Sequence, residues 1–132
     1  MKHLWILLLF ICWQAAAVKG QSIKTVTNTA TGVVNVASTT TKIMKTLTPS
    51  LGLSTKQQTS VAKLVTSYLL DRNNIIPMQK SNPSGYNSKF SVLNNGFLGK
   101  MKTVLTIRQY AKFLGLKPGP TNTAAVLWIL FF

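Results

Sequence analysis

Lys56, Lys63, Lys100, Lys102, Arg108 and Lys112 are the side chains of this sequence best suited to chemistry, and that chemistry is the capture of anions. Ammonium and guanidinium groups hold carboxylates and phosphates through charge-assisted hydrogen bonds. Little in the chain competes for them. Thirteen Lys and two Arg face a single carboxylate, Asp71, with no Glu, giving a formal net charge of +14 in 132 residues. The same inventory excludes several reaction classes. Paired-acid hydrolysis, calcium cages and acid-oriented catalytic triads all need carboxylates that are absent. No local motif marks a Ser, Thr, Tyr or Lys nucleophile either. The expectation is a non-catalytic protein without metal or cofactor. A plainer reading of the six cations also stands, in which they form a solvated face.

The N-terminus reads as a secretory signal peptide over residues 1–20. Lys2 and His3 make a short basic start, and an apolar run from Leu4 to Trp13 follows, about the length of a signal core. Cleavage fits after Gly20 or after Ala17. The run is about half of what a membrane span needs. Cys12 and His3, the only residues of their types, lie inside this segment. Their removal leaves no thiol or imidazole for catalysis, a disulfide or a zinc site. Export to a periplasmic or extracellular space follows. About 112 residues would remain, enough for one small domain. Nucleic acid is a poor fit to an exported, Lys-rich chain with no recognised binding motif.

Periodicity predicts what must position the cations: an all-α bundle of four to five helices. Residues 21–50 are rich in Thr and Ser, yet Ile23, Val26, Ala30, Val33, Ala37, Thr40, Met44 and Leu47 recur at helical spacing. This segment reads as a marginal amphipathic helix or a partly disordered stretch, with a break at Thr48, Pro49, Ser50 and Gly52. Residues 51–117 form the helical core. Ser54 with Gln57, and Thr106 with Gln109, each fit a capping box at a helix start. Val61, Leu64, Val65, Tyr68 and Leu69 make the first apolar face, which ends near Asn73 and Asn74. Asn82-Pro83-Ser84-Gly85 signals a turn. Tyr86, Phe90, Leu93 and Phe97 suggest two short helices parted near Asn95 and Gly96. Ile107, Tyr110, Phe113 and Leu114 give the last buried face, closed by Gly115 as a left-handed cap with Leu116 folding back. Residues 118–132 are a Pro/Gly linker and an apolar tail, too short to span a bilayer. The tail either docks onto the core or serves a partner or membrane surface.

The strings Leu53-Ser54-Thr55-Lys56-Gln57 and Leu105-Thr106-Ile107-Arg108-Gln109 share the pattern Leu, Ser or Thr, two free positions, Gln. The pair resembles the LTxxQ signature of the Spy/CpxP-like periplasmic proteins. That resemblance implies an all-α fold and an ATP-independent chaperone or stress-sensing role, with a basic, cradle-like dimer surface for clients. Residues 45 to 132 also look like small exported Bacteroidetes proteins of unknown function. The capping logic alone accounts for the same five-residue pattern. Two functions are therefore expected. One is a chaperone-like envelope protein holding unfolded clients through the six cations, with Tyr68, Phe97 and Met101 as apolar contacts. The alternative, ranked second, is a basic protein attached to anionic membrane or polysaccharide surfaces in a structural role.

Overall fold

The computed structural model describes residues 33–132. The signal-peptide reading, and Ile23, Val26 and Ala30 of the first stripe, lie outside those residues. The described chain is an all-α bundle: α1 Val36–Leu51, α2 Thr55–Ile75, α3 Met78–Ser81, α4 Pro83–Val104 and α5 Ile107–Gly115, with a closing 3₁₀ turn at Trp128–Leu130. None of these helices is long and apolar enough to cross a membrane.

Helix α2 is central, packed most extensively on α4 and next on α1, while α5 lies against α1 and α4. Its start is as the spacing predicts, with Ser54 and Gln57 forming both bonds of a capping box. Val61, Val65, Tyr68 and Leu69 are buried, and Leu64 packs against them at the edge. Ile43, Leu47 and Leu51 from α1 and Phe97 and Met101 from α4 complete the middle of the core. Aromatic rings run through it: Tyr68 lies 4.6 Å from Phe97, which meets Phe113 edge-on at 6.4 Å.

Several local expectations are corrected by tertiary packing. Helix α1 buries Leu47 of the expected stripe, with Met44 packed at the core's edge, but Ile43 and Leu51 complete its inner face while Ala37 is exposed. It also runs through Pro49, crossing the boundary set at residue 50. Proline costs a helix one i to i−4 bond, but stopping there would leave Leu51 short of the core. The stop comes at Gly52 instead, in the left-handed region at φ 62°. The Gly52 amide donates to the Thr48 carbonyl, and so does the Leu53 amide at 3.2 Å. Nothing lies within 4 Å of a Cβ added to Gly52, so only the backbone would resist one. Gly52→Ala is expected to cost about 1 kcal/mol, the usual left-handed penalty, and Gly52→Asn less. Urea unfolding at constant m-value would show this as a lower midpoint.

Helix α2 ends at Ile75, one residue past Asn74 and close to the expected end. Asn73 serves a different purpose: its Oδ1 accepts from the Val34 amide at 3.0 Å and its Nδ2 donates to the Val34 carbonyl at 2.8 Å. This amide pair ties the chain entering α1 to the far end of α2. The Asn-Pro-Ser-Gly string is a helix start rather than a free turn. Asn82 caps α4 by accepting from the Gly85 amide at 3.0 Å, with Pro83 in the first turn, where its missing N–H costs nothing. Helix α4 then runs unbroken through Asn95 and Gly96. In α5 only Phe113 is fully buried; Tyr110 is half-buried, and Ile107 and Leu114 face solvent. Gly115 ends α5 without a positive φ, Gly52 being the one such glycine among the described residues.

The apolar tail is docked. Leu127, Leu130 and Phe131 are buried, with Phe131 5.2 Å from Phe113. The Tyr68 hydroxyl donates to the Ile129 carbonyl at 3.2 Å, and Asn94 Nδ2 donates to the Leu130 carbonyl at 3.0 Å. Burial pushes the Tyr68 phenol pKa up, against smaller opposing effects of Asn94 and Arg72, which keeps that donor protonated. Trp128 Nε1 donates to the Pro120 carbonyl at 2.9 Å, and the Lys117 ammonium sits 4.6 Å from the centre of the Phe132 ring. These contacts fold the Pro/Gly linker over the bundle.

Candidate functional site

The two capping boxes meet. Gln57 and Gln109 lie fifty-two positions apart, yet each amide donates to the other: Gln57 Nε2 to Gln109 Oε1 at 2.7 Å, and Gln109 Nε2 to Gln57 Oε1 at 3.1 Å. Each Oε1 also accepts the amide of its own cap, from Ser54 at 3.1 Å and from Thr106 at 3.0 Å. The remaining donors bind the neighbouring helix ends. Gln57 Nε2 donates to the Val104 carbonyl at 3.2 Å, and Gln109 Nε2 to the Leu51 carbonyl at 3.2 Å. Leu53 and Leu105, which precede the caps, are both buried. One clasp therefore joins the starts of α2 and α5 to the ends of α1 and α4.

This geometry places some of the predicted cations together and disperses others. Lys56 and Arg108 occupy the same register, two residues after Ser54 and Thr106, so the clasp brings both to one end of the bundle. Lys102, in the last turn of α4, lies at that end too. Lys100 is also on α4, and Lys112 is one turn beyond Arg108 on α5. Lys63 is two turns along α2 from Lys56, about 10 Å along the axis. All six are exposed. Asp71, the one acid, is exposed on α2 fourteen residues beyond Gln57, about 21 Å along the helix.

The apolar contacts expected for clients are placed elsewhere. Tyr68, Phe97 and Met101 are 2%, 4% and 0% exposed and hold the core together. Among the described residues, the large apolar side chains that do reach solvent are Leu70, Val92, Ile107 and Leu114. Sequence reasoning assigned Ile107 and Leu114 to the core and did not single out Leu70 or Val92. It also missed Asn94 as the anchor of the tail. A polar residue amid the inner positions Phe90, Leu93, Phe97 and Met101 was the available signal. Comparison with protein-family models, with curated proteins and with solved structures returned no match.

Proposed function

We propose that this is a non-catalytic, exported basic protein that attaches to an anionic surface of the cell envelope. The observation that carries this reading is the distribution of charge on the fold. Twelve basic residues and one acid lie in the described chain, and all six candidate cations are exposed on helices α2, α4 and α5. A basic residue near an anionic membrane contributes about 1 kcal/mol of attraction, and several acting together suffice for stable association at modest salt. The purified protein is expected to co-sediment with vesicles containing phosphatidylglycerol at 20 mM salt and to be released at 500 mM, as screening shortens the reach of each charge. Retention on neither anionic vesicles nor an acidic polysaccharide matrix at low salt would sink the reading.

A chaperone-like role is the second reading, favoured by the meeting of the two Leu-Ser/Thr-x-x-Gln strings that carry the resemblance to the LTxxQ group. It ranks below surface attachment because the apolar contacts it relied on, Tyr68, Phe97 and Met101, are interior. Suppression of aggregation by a reduced, unfolded acidic protein at equimolar ratio would raise it to first place.

A further inference from the structure

We propose that the outer face of α5 is the surface by which the protein docks onto an anionic phospholipid bilayer. The proposal rests on the attachment reading above and names its site and partner. Helix α5 is nine residues long and turns one side inward, through the buried Phe113 and the half-buried Gln109 and Tyr110. On the outward side, Ile107, Ala111 and Leu114 are spaced i, i+4 and i+7, which aligns them in one stripe. Ile107 is 91% exposed and Leu114 42%. Arg108 and Lys112 form a parallel stripe about 100° around the helix, also in solvent. A helix that shows water an apolar stripe beside a cationic one has the pattern of an interfacial helix, with the greasy side chains entering the headgroup boundary and the cations remaining among the phosphates.

Charge complementarity selects the occupant. No carboxylate lies on α4 or α5, so an anionic headgroup layer meets no fixed negative charge on either helix. Lys102 and, through the clasp, Lys56 lie at the end where α5 begins. An acidic polysaccharide would satisfy the cations but leave Ile107 and Leu114 in water. A bilayer interface takes both.

The test measures vesicle partition of the purified protein, in the form cells accumulate, and three paired variants. Ile107→Asn with Leu114→Asn removes the apolar stripe; Arg108→Gln with Lys112→Gln removes the cationic one; Lys42→Gln with Lys89→Gln removes two exposed charges from α1 and α4 as a control. All the replaced side chains are exposed, so circular dichroism and melting of each variant should match the wild type. The expected result is roughly tenfold weaker partition to phosphatidylglycerol vesicles for each α5 pair, little change for the control pair, and no binding of any form to phosphatidylcholine vesicles. Equal losses for control and α5 pairs would mean diffuse attraction, overturning the assigned face while leaving surface attachment intact. Undiminished vesicle binding by the Asn pair, with loss of its capture of an unfolded acidic chain, would assign the face to polypeptide and also overturn the proposal. A wild type that binds no anionic vesicle but holds to acidic polysaccharide removes the bilayer as partner and keeps the attachment reading. Failure to bind either ends both.

Discussion

A chain that ends at Thr123 is expected to lose its cooperative unfolding transition. The segment removed carries Leu127, Leu130 and Phe131, which are 6%, 0% and 8% exposed. Burying a large apolar side chain is worth about 2 kcal/mol, so these three supply about 6 kcal/mol before any cavity is counted. Stability of small domains is about 5–15 kcal/mol in total, so the loss is of the same size as the whole. The tail's departure also uncovers Phe113 and takes away the carbonyls that satisfy Tyr68 and Asn94. Its effect would therefore reach the centre of the bundle. Thermal unfolding followed by circular dichroism and by near-ultraviolet signal should show a broad slope instead of a sigmoid. A truncated protein that melts at the wild-type temperature would falsify the tail's place in the core. Leu130→Ala, at about 2–5 kcal/mol, is the gentler version of the same experiment.

Replacing Gln57 with Ala is expected to cost about 2–3 kcal/mol, more than an ordinary capping-box residue. A cap contributes about 1 kcal/mol on its own. Here the same amide also serves the Val104 carbonyl and Gln109, and each partner left without a hydrogen bond adds to the penalty. Gln109→Ala should cost a similar amount, because its amide serves the Leu51 carbonyl in the same way. The diagnostic quantity is the double variant. If the two amides act as one clasp, the second replacement costs less than the first, and a double-mutant cycle returns a coupling of about 1 kcal/mol or more. Additive losses would show that each box caps only its own helix.

The parts of this fold that were legible in the sequence are those decided over a few residues. Ser54 with Gln57 and Thr106 with Gln109 marked their helix starts because a capping box closes within one turn. The inner face of α2 was readable because Val61, Val65, Tyr68 and Leu69 recur over several turns with polar residues between them. In α5 the same reasoning failed for a physical reason. A nine-residue helix with apolar residues at Ile107, Tyr110, Phe113 and Leu114 has hydrophobic groups on more than one side, and spacing alone does not say which side meets the bundle. The continuity of α4 through Asn95 and Gly96 depends on its long contact with α2, information that local propensity does not carry. Pro49 stayed within α1 for a similar reason: the destination of Leu51 outweighed one lost hydrogen bond. The candidate cations were all correctly expected on the exterior. The gathering of Lys56 and Arg108 at one end was not visible, since it depends on two glutamines far apart in the chain finding each other.

That glutamine pair also sets how the protein would respond to its surroundings. Carboxamides neither gain nor lose protons in the ordinary pH range and carry no net charge for salt to screen. The lock at the meeting point of four helix termini is thus blind to acidity and ionic strength, while the attraction exerted by the lysine coat outside it weakens as salt rises. A rise in salt can thus weaken the pull of the charges at the periphery and leave the fastening of the scaffold as it was.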